Sequence, residues 1–343
     1  MKRKRSFFKG LILILMLVLS VSLLMSCGQR LPQEGVEDHD GAELIPTRVM
    51  LDWTPNTNHS GLYVALEKGF YREVGLDLAI LEAGEVGPDQ LVAAGQVDFG
   101  VTYQENVTHA RAADIPIVSL AAVIQHNTSG LASLKEDKLV KPRNLEGKKY
   151  GGWGSPAERA IIEAVVTNDG GDPETIEFID IGSTDFLSVI GREVDFYWIF
   201  QGWDGIRAAQ ENVSLNLIML REYEPALDYY TPVLITNEDN IAQKPDLVKR
   251  FLAATAKGYQ YCIENPDEAA VILLDLVPEL DAELVKASQQ WLADQYQADA
   301  PYWGWQDQKV WEDYANWMFE KELLQKKIEP EKAFTNEFLP DKA

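Results

Sequence analysis

The chain contains 343 residues, of which 46% are apolar, 10% aromatic and 25% charged, a composition typical of a globular protein with one large domain or two ordinary ones. The formal net charge of −23 disfavours contact with nucleic acid phosphates, so we expect no nucleic-acid partner. The two cysteines, Cys27 and Cys262, form no spacing typical of a zinc or iron–sulfur site, and we predict no metal site.

The N-terminus has the pattern of a secretory signal peptide. Basic residues at positions 2–5 precede an apolar run from Leu11 to Met25, and the segment ends in Leu24-Met-Ser-Cys27-Gly. This ending fits the cleavage site of bacterial lipoproteins. We therefore predict a signal peptide over residues 1–26 and lipidation of Cys27. The alternative is an uncleaved membrane anchor, because the run is close to the shortest length that spans a bilayer.

Residues 27–45 are rich in acids and poor in apolar side chains, which predicts a flexible tether. Strand patterns then alternate with helical ones as far as Ile124. The predicted strands are Val49–Leu51, Leu76–Leu81, Val97–Tyr103 and Ile117–Ile124. Strands separated by helices indicate a mostly parallel sheet with helices on its faces.

A second unit of the same kind begins near Asn144, with predicted strands over residues 149–153, 176–181, 194–200 and 215–220 and short helices over 184–190 and 203–210. Ser155-Pro-Ala-Glu158 has the pattern of a complete helix start, with an N-cap, a proline at the first position and a capping box. A strand is predicted at Thr231–Thr236. The pattern of the remaining chain predicts helices, mainly over residues 245–263, 266–276, 282–293 and 307–323. We expect this helical tail to pack on the first unit.

These patterns predict an α/β protein with the two-lobed, type II periplasmic-binding fold, in which each lobe is a mostly parallel sheet flanked by helices. Lobe 1 would comprise residues 46–126 and 232–343, and lobe 2 residues 127–231. The chain would cross twice between the lobes, and a ligand would lie between lobes that close on this hinge.

Aromatic residues beside carboxyl and amide groups recur at the ends of the predicted strands. They are Asp52 and Trp53 with Asn56 and His59, Tyr103 with Glu105, Trp153 with Ser155, and Tyr197 and Trp198 with Gln201. The carboxyl ends of parallel strands meet at one edge, so we expect these side chains in one cleft. Aromatic faces with carboxyl and amide groups suit a flat ring that carries amino groups and ring nitrogens. The scarcity of arginine and lysine argues against an anionic ligand.

We predict no catalytic residues, because the sequence has no phosphate loop, no nucleophile elbow and no His-Glu-x-x-His. Structural alternatives remain for several aromatics: Trp53 and Trp153 would pack over strand ends, and Tyr197 or Trp198 would belong to the core. Glu158 would only cap its helix. One helical face is predicted to be core, namely Trp311, Tyr314, Ala315 and Met318.

Three stretches resemble the substrate-binding lipoproteins of the thiamine-pyrimidine-synthase-like family, and within it the group that binds formylaminopyrimidine. The stretches are Leu51-Asp-Trp-Thr-Pro-Asn-Thr-Asn-His-Ser-Gly-Leu-Tyr63, Gly151-Gly-Trp-Gly-Ser-Pro-x-Glu158 and Trp198-Ile-Phe-Gln-Gly-Trp-Asp-Gly205. The resemblance covers about residues 46–340. It implies a protein with a two-lobed fold, which delivers its ligand to a membrane permease driven by an ATPase.

The resemblance further implies a monomeric, lipid-anchored component of an ABC importer on the extracytoplasmic face of the cell membrane, without a cofactor. Its ligand would be a thiamine-precursor aminopyrimidine, either formylaminopyrimidine or hydroxymethylpyrimidine. Trp53 and one of Trp153, Tyr197 or Trp198 would stack on the ring, and Asp52, Asn56, Glu105 and Gln201 would bind its nitrogens. The alternatives are riboflavin or another flat heterocycle as ligand, or a pyrimidine-synthesising enzyme. The enzymes of the family use pyridoxal phosphate and an iron-binding cysteine cluster, which this chain lacks.

Overall fold

Two five-stranded sheets form the framework of the protein. The computed structural model describes residues 44–182 and 184–340, so the predicted signal peptide, Cys27 and nearly all of the predicted tether lie outside the described residues. The strands are β1 Ile45–Met50, β2 Leu76–Leu81, β3 Phe99–Thr102, β4 Ile117–Ala122, β5 Ser129–Leu134, β6 Lys149–Gly152, β7 Glu177–Asp180, β8 Phe196–Phe200, β9 Leu215–Met219 and β10 Val233–Asn237.

The first sheet has the strand order β2-β1-β3-β10-β4. Strand β1 runs parallel to β2 and β3, with Val49 opposite Ile80 and Phe99, whereas β10 runs antiparallel to β3 and β4. Strand β1 begins at Ile45, the last residue of the predicted tether, and Leu44 before it is buried. The first strand therefore begins a few residues before the apolar run that predicts it.

The second sheet repeats this arrangement in the order β7-β6-β8-β5-β9, with β5 antiparallel to β8 and β9. Strand β5 was not predicted, because Ser129-Gly-Leu-Ala-Ser-Leu134 is small and only weakly apolar. Strands β5 and β10 each follow a crossing from the other sheet. A chain that arrives at the carboxyl edge must run back through the sheet, which explains why both strands are reversed.

Helices cover the faces of both sheets. They are α1 Ser60–Glu67, α2 Phe70–Glu73, α3 Pro88–Ala93, α4 Gln104–Ala112, α5 Pro156–Asn168, α6 Phe186–Val189, α7 Ile206–Gln210, α8 Glu238–Gln243, α9 Pro245–Glu264, α10 Pro266–Leu276, α11 Ala282–Ala293 and α12 Gln308–Glu320. Two predicted helices are shorter than expected. α6 is a single turn, and a π-helical turn over Gln201–Gly205 precedes α7.

The helical tail packs mainly on the first sheet, as expected. Side chains of α9, α10 and α11 share one core cluster with α1 and with strands β1 and β3. The last helix, α12, differs, because its Trp311 joins the first lobe's core while Tyr314, Trp317 and Met318 join the second lobe's core. α12 therefore links the two lobes. The predicted core face of this helix is confirmed, and Cys262 in α9 is buried.

No helix within residues 44–182 and 184–340 is long and apolar enough to cross a membrane.

Candidate functional site

The polar loop after β1 is organised around His59. Asn56 begins a short 3-10 turn over Thr57–His59, and its side-chain oxygen accepts from the Asn58 N–H at 2.9 Å. The Asn56 backbone N–H donates to His59 Nδ1 at 3.2 Å. Since Nδ1 accepts, the ring carries its proton on Nε2, and Nε2–H donates to Asp52 Oδ1 at 2.7 Å. The loop therefore fixes both the tautomer of the histidine and the position of Asp52.

Asp52 is held in place from two sides. Its side chain is only 6% exposed, and the side chains of His59 and Tyr103 both hydrogen-bond to it. Burial acts to raise the pKa of Asp52, but these hydrogen bonds outweigh it and leave the pKa below its ordinary value. Burial, followed by the charge of Asp52, raises the pKa of Tyr103 well above its ordinary value. Tyr103 therefore remains a phenol that donates to Asp52.

Glu105 is a second carboxyl group at the same edge of the first sheet. It lies in the first turn of α4, directly after β3, and no described residue hydrogen-bonds to its carboxyl group. Burial raises the pKa of Glu105 to about 7, and the charge of Glu158 from the second lobe adds to the effect. The electrostatic interaction between these two glutamates shows that the strand ends of the two lobes approach each other.

Glu158 organises the corresponding turn of the second lobe. Its oxygens accept from the Tyr150 Oη–H at 2.6 Å, from the Trp153 N–H at 3.1 Å and from the Ser155 N–H at 2.8 Å. The capping box predicted from Ser155 and Glu158 is present at the start of α5. Capping is only one role of Glu158, because this residue is also 2% exposed and its charge acts on Glu105.

Each lobe exposes one large tryptophan next to these carboxyl groups. Trp53 follows β1 and is 59% exposed, and Trp153 follows β6 and is 49% exposed. β1 and β6 occupy equivalent positions in the two sheets, so the two indoles occupy equivalent positions in the two lobes. Trp153 also contacts Trp198, with ring centroids 5.6 Å apart and a tilt of 43°. Exposed aromatics of this size are typical of binding surfaces.

Several other candidates are engaged in contacts within the protein itself. His59 is fully buried and acts on the site through Asp52. The Asn56 amide is used within its own loop, where Nδ2 donates to the Thr54 carbonyl at 3.0 Å. Tyr197 lies on the opposite face of β8 from Trp198 and packs against Phe186.

Two further candidates, Ser155 and Gln201, contact the protein segments next to them. The Ser155 hydroxyl accepts from the Ala157 N–H at 3.2 Å and caps α5, and the Trp153 and Ser155 N–H groups of the same turn already donate to Glu158. The Gln201 N–H donates to the Thr128 carbonyl at 3.0 Å, next to the first crossing between the lobes. The Gln201 amide lies so close to Gly205 that a side chain at Gly205 would overlap it.

Sequence reasoning missed two tyrosines beside Glu105. Tyr229 precedes the second crossing and stacks on Tyr314 of α12, with centroids 4.2 Å apart and planes at 26°. Both tyrosines are buried, and both lie close enough to Glu105 for its charge to raise their pKa values, in each case after burial as the main cause. The only available signal was their aromatic character, which is equally typical of a core.

Comparison with solved structures defines the class of fold. The periplasmic aliphatic sulphonate binding protein SsuA from Escherichia coli superimposes with a TM-score of 0.65 at 13% identity, over 87% of this chain and 94% of that one. At this identity the likeness concerns the fold alone. The predicted two-lobed α/β fold of the periplasmic binding proteins is confirmed.

Comparison of sequences defines the family. The family model described as NMT1/THI5 like matches residues 56–269, and the chain belongs to this family. The formylaminopyrimidine-binding protein of Halalkalibacterium halodurans is 30% identical over 94% of this chain and 98% of its own length. The 4-amino-5-hydroxymethyl-2-methylpyrimidine phosphate synthase of Legionella pneumophila is 27% identical over 85% of this chain and 92% of its own. The predicted family resemblance is thereby confirmed.

Proposed function

We propose that this protein is the extracytoplasmic solute-binding component of an ABC importer and that it binds a thiamine-precursor aminopyrimidine between its two lobes. The observation that carries the proposal is the composition of the cleft edge. Three carboxyl groups, Asp52, Glu105 and Glu158, lie there with one exposed tryptophan from each lobe. Formylaminopyrimidine and hydroxymethylpyrimidine are the first candidates, because a relative similar over nearly the whole chain bears the name of a formylaminopyrimidine-binding protein.

The charges at the site favour a ligand rich in hydrogen-bond donors. No described arginine or lysine hydrogen-bonds to any of these three carboxyl groups. An anion would therefore meet only like charge, whereas the amino group of an aminopyrimidine would meet acceptors. The indoles of Trp53 and Trp153 provide flat faces on which a ring can stack.

The remainder of the transport proposal rests on the sequence. The predicted signal peptide and Cys27 would anchor the protein by a lipid to the outer face of the cell membrane, from which it would deliver its ligand to a permease and ATPase. Metabolic labelling with a fatty-acid analogue tests the anchor. We expect label on the wild-type chain and none on the Cys27→Ala variant, and equal labelling of both would contradict lipidation at this residue.

Calorimetry with the full chain in detergent tests the ligand. The panel contains formylaminopyrimidine, hydroxymethylpyrimidine, riboflavin and an aliphatic sulfonate. We expect binding of at least one aminopyrimidine and no binding of the sulfonate. Tight binding of riboflavin alone, or of the sulfonate, would contradict the proposal.

Variants of the two tryptophans test the stacking surface. Stacking of a base on an aromatic side chain contributes roughly 1–3 kcal/mol, so Trp53→Ala and Trp153→Ala should each weaken binding about 5-fold to 150-fold. Both side chains are exposed, and the melting temperature should change little. Val140→Ala is a suitable control, because Val140 is similarly exposed, at 57%, and lies between the 3-10 turns Lys135–Asp137 and Pro142–Leu145, outside the predicted site. A large loss of stability with unchanged affinity would mean that the tryptophans are structural.

A pyrimidine synthase is the second candidate, because one relative similar over most of the chain bears that name. Two observations weigh against it. Cys262 is the single cysteine of the described residues, and burial raises the pKa of its thiol far above the ordinary value, which disfavours a role as metal ligand. Incubation with pyridoxal phosphate and iron is the direct test, and formation of an aminopyrimidine product would establish the enzyme instead of the binding protein.

A further inference from the structure

A buried chain of hydroxyl groups joins the loop after β1 to the second lobe. Thr57 begins the 3-10 turn of that loop, Ser288 lies on α11, and Gly202 lies in the π-helical turn after β8. Thr57 Oγ1 and Ser288 Oγ are 2.6 Å apart, and the Ser288 hydroxyl also hydrogen-bonds to the Gly202 carbonyl. Thr57 and Ser288 are both buried, so this chain lies out of contact with water.

The chemistry of the three groups fixes the direction of the chain. A carbonyl oxygen only accepts, so the single hydroxyl proton of Ser288 goes to Gly202. Ser288 Oγ then accepts, and Thr57 is the donor to it. Hydrogen bonds in series polarise and strengthen one another in a buried environment. Removal of the Ser288 hydroxyl therefore removes both hydrogen bonds at once.

The first-lobe end of the chain is tied to the carboxyl group of Asp52. The Tyr296 hydroxyl donates to the Thr57 carbonyl at 2.6 Å, which fixes the start of the 3-10 turn. The same turn ends at His59, which donates to Asp52 at 2.7 Å. A shift of Thr57 therefore moves the turn that holds Asp52 at the cleft edge.

The second-lobe end of the chain is a contact between surfaces. Val285 and Leu292 of α11 belong to the core of the first lobe, and Trp203 of the second lobe packs against that core while it remains partly exposed. Gly202 lies so close to α11 that an added Cβ would be 2.9 Å from the Trp291 ring. Unlike α12, which contributes to the cores of both lobes, α11 can separate from Gly202 without the unpacking of a core.

We propose that Ser288 is a positioning residue that latches the two lobes together and couples their closure to the loop that holds Asp52. This inference rests on the proposed function in one respect, namely that the ligand lies between the lobes. When the lobes separate, the Gly202 carbonyl leaves Ser288, and water hydrates both groups. A contact made in only one arrangement of the lobes stabilises that arrangement, and it also stabilises any ligand enclosed there.

The latch acts on ligand release more than on ligand capture. Two hydrogen bonds of ordinary net strength favour the closed arrangement by about 5-fold to 100-fold. A ligand enters between open lobes, which the latch does not hold, and it leaves only after the latch breaks. Loss of the Ser288 hydroxyl should therefore accelerate dissociation by this factor and leave the association rate nearly unchanged.

Stopped-flow tryptophan fluorescence with the full chain in detergent and formylaminopyrimidine tests this kinetic effect. Ser288→Ala should raise the dissociation rate and the Kd by about 5-fold to 100-fold. Thr57→Val removes only the first hydroxyl of the chain at constant shape and should have a smaller effect. Thr57→Ser keeps that hydroxyl and should release the ligand as the wild type does. An unchanged dissociation rate in Ser288→Ala, or equal acceleration by Thr57→Val and Thr57→Ser, would overturn the inference.

Thr255→Val is the matched control for the loss of a buried hydroxyl. Thr255 Oγ1 lies 2.7 Å from the Tyr71 hydroxyl, and this buried pair joins α9 to α2 within the first lobe. Thr255→Val should lower the melting temperature but should leave the dissociation rate unchanged. If Thr255→Val and Ser288→Ala accelerated dissociation equally, any lost buried hydroxyl would suffice, and Ser288 would have no role as a latch.

Spin labels on the two lobes test the latch without a ligand. Val140→Cys and Val271→Cys introduce one exposed site in each lobe of a Cys27→Ala chain, and Cys262 is buried from the label. In the free protein, Ser288→Ala should shift and broaden the distribution of distances between the labels, and Thr255→Val should not. Identical distributions for Ser288→Ala and the wild type would overturn the latch. Failure of every aminopyrimidine to bind would overturn the proposed function and leave this ligand-free result standing.

Discussion

The strongest structural prediction concerns Glu158, which holds together the cleft-edge turn of the second lobe. Glu158→Ala removes the acceptor of the Tyr150 hydroxyl and of the Trp153 and Ser155 N–H groups. A hydrogen bond to a charged group contributes about 1.5–3 kcal/mol, and a donor that water can reach loses less. Tyr150 is buried and the two N–H groups are only partly buried, so we expect a loss of about 3–5 kcal/mol in the free energy of unfolding.

Thermal unfolding with Glu163→Ala as the matched control tests this value. Both residues lie on α5, but Glu163 is 36% exposed and pairs only with Arg159, so its removal should cost less than about 0.5 kcal/mol. Glu158→Ala should lower the melting temperature by roughly 6–10 °C and should also weaken ligand binding, because Trp153 loses its support. Equal melting temperatures for the two variants would refute the view that the buried carboxylate holds the turn.

Two further predictions concern the first crossing between the lobes and the packing of the helical tail. His126 in the first crossing contacts Asp228 at 2.7 Å and Asp299 at 3.0 Å, and mainly the Asp228 hydrogen bond raises its pKa above 6.5. Because the folded-state pKa is the higher one, this stabilisation is fully present below pH 6.5 and is lost as the pH rises through the raised value. The difference in melting temperature between the wild type and His126→Asn should therefore be larger at pH 5.5 than at pH 9, and a constant difference would contradict the ion pairs. Gly258 of α9 packs so closely on α1 that an added Cβ would overlap the Gly61 carbonyl oxygen. Gly258→Ala should cost at least about 1–3 kcal/mol in urea unfolding, and an unchanged midpoint would show that the two helices separate freely.

Much of the fold follows from periodicity alone. The apolar runs at Ile117–Ile124 and Leu76–Leu81 predicted strands, which the structure shows as β4 Ile117–Ala122 and β2 Leu76–Leu81, and Ser155-Pro-Ala-Glu158 predicted a helix start to the residue. Strand β5 escaped prediction, because Ser129-Gly-Leu-Ala-Ser-Leu134 has neither the apolar continuity nor the alternation of a strand. Pairing with β8 on one side and β9 on the other holds β5 in the sheet, although its own sequence has little strand character.

The composition of the site could be predicted, since carboxyl groups and tryptophans beside strand ends are visible in the sequence. Their roles could not. Asp52 and Glu105 are both carboxylic acids that follow predicted strands. In the structure, His59 and Tyr103 donate hydrogen bonds to Asp52, whereas no described residue donates to Glu105. The sequence by itself determined which residues stand at the strand ends and that two similar lobes would carry them. Only the tertiary structure decided which of these carboxyl groups receive hydrogen bonds, because the donors come from loops and strands that fold around Asp52 and Glu158.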